Sequence, residues 1–157
     1  MYGAIIGDIV GSRFEFNNTS SKNFDFFSPY CTYTDDTVMT IAIAAALTHH
    51  KLSDTPLDVA TIYWMQRLGR KHINAGYGGN FYNWIRSEKP KPYNSWGNGS
   101  AMRVSACGIA AQDLAEALNF AEVTASVTHN HKEGIKGAKA IAASIYKAKI
   151  GMNKDAI

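Results

Sequence analysis

The stretch from Val38 to Leu47 constrains the fold of this sequence more than any other, because it is apolar on every face of a helix drawn through it. A surface helix carries one apolar stripe, whereas a helix that is apolar all round must be central and packed by neighbours. Its start is equally marked. Thr34 is placed to cap the helix, and Asp35 and Asp36 fall in its first turn, where carboxylates suit the exposed N–H groups.

Helical signals continue downstream. Thr55 reads as a cap, with Pro56 at the first helical position and Asp58 three residues after the cap. Val59, Ile62, Tyr63 and Leu68 then follow at helical spacing. Gly76, Gly78 and Gly79 interrupt the pattern, Phe81 to Ile85 predicts a short aromatic helix, and Pro90 and Pro92 close it. Asp113 predicts the cap of a helix running to about Val127. A last helix is expected from Lys132 to Lys149, with Ile135, Ala138, Ile141, Ala142 and Ile145 on one face. Upstream, Gly3 to Gly11 alternates glycine with Ile and Val, which suits a strand or a helix packed closely through its glycines. Asn17 to Asn23 reads as a surface loop ahead of the aromatic patch Phe24, Phe26 and Phe27. No linker, repeat or low-complexity tract divides residues 1–157, so the expectation is a single all-α domain.

Composition removes other classes. An apolar share of 46% against 18% charged residues gives enough material for a core and excludes disorder of the whole chain. Sixteen Lys and Arg against thirteen Asp and Glu leave only +3, and the cations are scattered rather than striped, which argues against nucleic acid as a partner. No run of about 18 apolar residues exists to span a membrane, and Met1 to Ile6 lacks the pattern of a signal peptide. Cys31 and Cys107 form no CxxC pair and read as reduced, buried thiols of a cytoplasmic protein.

Four clusters carry chemistry. In Thr34-Asp35-Asp36-Thr37, two carboxylates and two hydroxyls at one helix end offer the hard oxygens that Mg²⁺ or Mn²⁺ prefers, although capping alone also explains them. Gly7-Asp8 with Gly11 and Glu15 places two acids about two helical turns apart, on one face if the segment is helical; two solvated acids are the plainer alternative. Ser95 to Arg103 contains a Gly97-Asn98-Gly99-Ser100 loop leading into an apolar helical stretch, where backbone N–H groups and the Ser100 hydroxyl suit an anion or simply cap the helix. Thr128-His129-Asn130-His131 suits a metal, a phosphate or proton transfer, or a polar corner between helices. No Gly-Lys-Ser/Thr follows the glycine loop, which excludes a Walker A motif.

Taken along the chain, Gly3 to Asp8 with Gly11 and Glu15, then Thr34 to Thr37, then Gly97 to Arg103, then Thr128 to His131 resemble, in order, the motifs of the ADP-ribosylglycohydrolases, of the dinitrogenase reductase-activating type, over essentially the whole chain. Gly76-Tyr77-Gly78-Gly79 and Lys91 to Ser95 are similar to a bacterial branch of that family. The resemblance implies a compact multi-helix bundle with a binuclear Mg²⁺ or Mn²⁺ site, and hydrolysis of the bond joining ADP-ribose to a protein side chain, arginine or serine. It implies Thr34, Asp35, Asp36 and Glu15 as metal ligands, with Glu15, Asp35 and Asp36 as the catalytic acids. Gly97, Asn98, Gly99, Ser100 and Met102 would form the loop around the diphosphate, and His129 would approach the phosphate or adenosine side. ADP-ribose or an ADP-ribosylated protein is the implied partner.

The sequence also departs from the family. A second acidic motif, Gly-Gly-Asp-x-Asp-Thr in type, completes the family's metal site, and Thr34 to Thr37 is the only such cluster here. Proline usually stands in that branch where this chain has Ala106 and Lys132. The expectation is therefore the N-terminal portion of such an enzyme, truncated at its C-terminal end and carrying the first half of the metal site. Apolar faces of the Thr34 helix would be covered by self-association or by a complementing C-terminal polypeptide. The alternative is a catalytically inactive ADP-ribose-binding or structural relative that keeps the Gly97 to Ser100 loop.

Overall fold

The computed structural model describes residues 1–157 as seven α-helices and three short 3-10 turns, without a strand. The glycine-rich start is helix α1, Tyr2–Gly11. Its glycines do not serve close packing, since nothing lies within 4 Å of a Cβ built at Gly3, Gly7 or Gly11. Val10 is its one buried residue.

Helix α2, Asp35–Leu52, is the centre of the fold, packed against α1 and against helices α3 (Leu57–Lys71) and α5 (Ser105–Ala110). Met39, Ile43 and Leu47 are buried in the core, each contributing about 1.5–3 kcal/mol of burial free energy. The expectation of burial on every face needs correcting: Ile41 is 42% exposed, and Thr48, two turns on, is exposed as well. The covering helices leave that side of α2 open.

Helix α3 begins later than its sequence signal. Pro56, not Thr55, holds the N-cap position and offers no side-chain cap. The Thr55 hydroxyl instead accepts from Ser53 at 2.9 Å. Gly69 lets α3 meet helix α4 (Gly79–Arg86), because a Cβ there would come 2.9 Å from Ile85 Cδ1. In α4, Phe81, Trp84 and Ile85 are buried, with the Phe81 and Trp84 rings stacked at 5.5 Å.

The second half of the bundle is α5, helix α6 (Leu114–Ser126) and helix α7 (Lys132–Lys149). Asp113 caps α6 by accepting from the Glu116 N–H at 2.7 Å, and α7 has the expected bounds. Gly108 is required where α5 crosses α7, since a Cβ would lie 2.5 Å from the Ala142 carbonyl oxygen. Cys107 is buried in this half, whereas Cys31 is only partly buried, which corrects the expectation of two buried thiols; both are free.

Candidate active site

The N-terminus of α2 is held by a carboxylate from another helix. Asp8 Oδ2 accepts from the backbone N–H of Thr34 at 2.8 Å and of Thr37 at 3.1 Å, and from the Thr37 hydroxyl at 2.5 Å. Asp8 Oδ1 accepts from the Thr34 hydroxyl at 2.6 Å. Thr34 Oγ1 in turn accepts from the Asp36 N–H at 3.3 Å, as the capping reading requires. Neither sequence reading of Asp8 anticipated this: it is a clamp on the helix that carries the next two acids.

The clamp leaves Asp35 and Asp36 unpaired. The chain's two ion pairs, Lys136–Glu133 and Lys139–Glu122, lie on α7 and between α6 and α7. Asp35 is pushed up to about 6, by burial first and then by the charges of Asp36, Glu15 and Asp8. Asp36 is raised as well, again by burial first, then by Asp8 and Glu15. Glu15 is exposed and follows a 3-10 turn, Ser12–Phe14, rather than lying on the α1 helix itself. Its charge nevertheless acts on both aspartates.

Across from Asp35, the chain folds a second wall. The segment after Pro92 is pinned to the corner between α6 and α7: the Tyr93 N–H donates to the Thr128 carbonyl at 3.2 Å and the Asn94 N–H to Asn130 Oδ1 at 2.7 Å. Asn94 takes a left-handed conformation at φ 53° to make this turn. Gly134 admits the contact, because a Cβ would meet the Ser95 carbonyl oxygen at 2.8 Å and His129 Cβ at 3.1 Å. Residues Asn98–Ser100 form a 3-10 turn lying close to His129, where a Cβ on Gly99 would be 3.1 Å from the ring's Cε1 and Nε2.

Between these walls lies a cavity of about 340 Å³. Four of the sequence-predicted residues line it: Asp35, Gly99, Met102 and His129. Gly97, Asn98 and Ser100 do not. Ser100 is buried and its hydroxyl donates to the Gly134 carbonyl at 2.8 Å, which ties the glycine loop to α7 instead of offering a donor to an anion. Asp36 and Glu15 stay outside the cavity wall, and Thr34 lines a separate depression with His72 and Gly76.

The cavity also contains residues to which the sequence reading gave no role. Arg103 is 1% exposed and lines it without any carboxylate partner. Its Nη2 donates to the Thr124 carbonyl and to Thr128 Oγ1, both at 2.9 Å, while Nε is buried without a partner. Burial lowers its pKa to about 10. Tyr93 lines the same cavity, its hydroxyl pKa raised by burial. Outside the cavity wall, the Tyr77 hydroxyl is buried without a partner, with its pKa raised by burial first and then by the charge of Asp35. A lone cation inside the apolar run Met102 to Ala111 was the available signal for Arg103; for the tyrosines it was only the likeness of Gly76 to Gly79 and of Lys91 to Ser95 to a bacterial branch of the family. His129 is lowered to about 4, by burial first and then by the Arg103 charge, so it is neutral at ordinary pH. The Cys107 thiol, pushed up to about 11 by burial, is no nucleophile.

The donor chemistry at the α2 end suits a hard divalent cation, since two half-buried carboxylates of raised pKa have no counter-charge. Thr34 Oγ1 keeps a lone pair beyond its bonds to Asp8 and Asp36. No three His, Cys, Asp or Glu side chains converge closely enough to hold a metal by themselves.

An all-helical bundle with Asp35 at one wall of a cavity, and a buried arginine and a neutral histidine at another, places the chain among all-α proteins with a polar cleft between helices. Within that class the chain belongs to the ADP-ribosylglycohydrolase family, whose model matches residues 1–157. Among curated proteins it is similar to the ADP-ribosylhydrolase ARH3 of Xenopus tropicalis, 25% identical over 170 residues that cover 94% of this chain and 49% of that protein. The same enzyme of Mus musculus is 27% identical, covering 96% of this chain and 48% of the relative. That of Homo sapiens is 28% identical, covering 93% and 48%. The chain thus spans about half the length of the curated relatives it matches.

Proposed function

We propose that this chain contributes half of the active site of an enzyme that hydrolyses the glycosidic bond between ADP-ribose and a protein side chain, arginine or serine. The observation that carries this reading is the 340 Å³ cavity, which faces Asp35 on α2 toward Gly99, Arg103 and His129. Asp35 at one end, with Asp36 and Glu15 just outside the wall, and a cationic, hydrogen-bonding wall at the other suit a ligand with a sugar at one end and a diphosphate further along.

Thr34, Asp35, Asp36 and Glu15 would hold Mg²⁺ or Mn²⁺, with the remaining ligands drawn from outside these 157 residues. Such an ion would supply Lewis-acid chemistry to the sugar and to water. Glu15, exposed beside the aspartates, is suited to move a proton to or from the attacking water. Cleavage at ribose C1 builds positive charge on the sugar, which the nearby carboxylates favour. On the other wall, Gly99 and Met102 shape the diphosphate subsite, and Asn98 and Gly97 set the loop. Arg103 lends the wall its positive potential, and His129 donates to an oxygen of the ligand. Free thiols at Cys31 and Cys107 suit a reducing compartment such as the cytoplasm.

The test is release of ADP-ribose from ADP-ribosyl-arginine and ADP-ribosyl-serine substrates, with Mg²⁺ or Mn²⁺ and with chelator. Turnover is expected to be abolished by chelator and by Asp35→Ala or Asp36→Ala; turnover that survives both would remove the metal and the aspartates from the reaction. A second reading, binding of ADP-ribose without turnover, draws support from the absence of three converging ligands at the α2 end. Saturable binding of ADP-ribose by folded protein that releases none from either substrate would select it.

A further inference from the structure

The His129 ring has one nitrogen engaged and one open. Nδ1 lies 2.7 Å from the Thr128 hydroxyl, whereas Nε2 makes no hydrogen bond within the chain and sits at the cavity beside Gly99. The state of the ring is set by what happens at Thr128. Arg103 is always a donor, and its Nη2 donates to Thr128 Oγ1 at 2.9 Å. The hydroxyl therefore has its own single proton left to place. Two acceptors are in reach: the Ala125 carbonyl at 3.4 Å and His129 Nδ1 at 2.7 Å. The shorter contact is the better bond by a wide margin. A proton on Nδ1 would instead be donated to Thr128 Oγ1 and leave that hydroxyl's own proton only the 3.4 Å contact to the Ala125 carbonyl.

We infer that Arg103 and Thr128 are positioning residues that fix His129 as the Nε2–H tautomer, so that the ring presents a hydrogen-bond donor to a phosphoryl oxygen in the cavity. The chain of bonds runs one way, from the Arg103 N–H to the Thr128 oxygen, and from the Thr128 O–H to Nδ1. No other side chain binds either ring nitrogen. Thr128 receives the Arg103 N–H, and the ring beyond is turned into a donor without acquiring a charge. The ligand half of this inference rests on the proposed function; the tautomer half does not.

The two halves are read separately. Long-range ¹H–¹⁵N spectra of the ligand-free protein report which ring nitrogen carries the proton, with His129→Gln used to assign the signals. Wild type is expected to show His129 with Nε2 protonated and Nδ1 bare. Thr128→Val, which keeps shape and loses the hydroxyl, should lose that preference, and Thr128→Ser should restore it. In an ADP-ribose titration, Thr128→Val should bind about tenfold more weakly, as loss of one oriented hydrogen bond implies, with Thr128→Ser close to wild type. A wild-type ring protonated at Nδ1, or a tautomer unchanged in Thr128→Val, would overturn the inference. The wild-type spectrum alone decides the tautomer if Thr128→Val fails to fold. Wild-type protein with the expected tautomer but no ADP-ribose binding would sink the functional reading and leave the relay standing.

Discussion

Asp35 and His129 look into one cavity with their pKa values displaced in opposite directions by the same cause, burial. Asp35 binds its proton more tightly folded than unfolded, so between pH 3.8 and about 6 the folded state holds more protons and stability falls as pH rises. His129 is the reverse. Between about 4 and 6.5 the unfolded chain holds the extra proton, so stability rises with pH and is lost as pH drops through that window. The two slopes oppose each other where they overlap. In metal-free buffer, Asp35→Asn should therefore raise stability at neutral pH, and its urea midpoint should climb from pH 4 to 6.5 more steeply than wild type. Parallel pH profiles for the two proteins would show that Asp35 is not strained by its surroundings. At Gly99 the constraint is steric. A β-branched residue puts its Cβ 3.1 Å from the His129 ring, so Gly99→Val should weaken ADP-ribose binding more than metal binding. Equal losses would point to general misfolding.

At the scale of elements, the join between α1 and α2 matters most. Four hydrogen bonds converge on the Asp8 carboxylate and fix the first turn of α2, from which Asp35 and Asp36 project. Asp8→Ala should cost about 2–3 kcal/mol, read from urea unfolding, and should reduce metal-dependent turnover although Asp8 lies outside the cavity wall. Unchanged stability would mean that Thr34 and Thr37 cap the helix without it. Element types were legible from sequence wherever apolar spacing and caps agreed: Thr34, Asp113 and the bounds of α7 needed no tertiary information. Thr55 misled, because a hydroxyl placed before Pro56 found a closer partner in Ser53. The glycines of α1 misled too. Their helix is real, but nothing packs against them.

Over the whole molecule, apolar surface remains uncovered on the two helices that build the acid cluster. Tyr2 is 82% exposed, Ile6 40% and Ile41 42%. Exposed side chains of this kind on helices that meet each other favour association. Sedimentation velocity should show species heavier than a single chain, and Ile41→Glu should shift the protein toward monomer with its helical content unchanged. A compact monodisperse wild-type monomer would remove the idea of self-association. The sequence by itself determined helices α2, α3, α4, α6 and α7, the central place of α2 and the family, because apolar periodicity, caps and ordered motifs are local properties of the chain; for α1 it left strand and helix open. Only the tertiary structure decided which residues share a cavity. Asp35, Arg103 and His129 lie 94 residues apart end to end, and their meeting depends on how α2, α5 and the corner before α7 pack. The buried charge of Arg103, the Asp8 clamp and the turning of Ser100 toward Gly134 arise from that packing, since burial and hydrogen-bond partners exist only once distant segments touch.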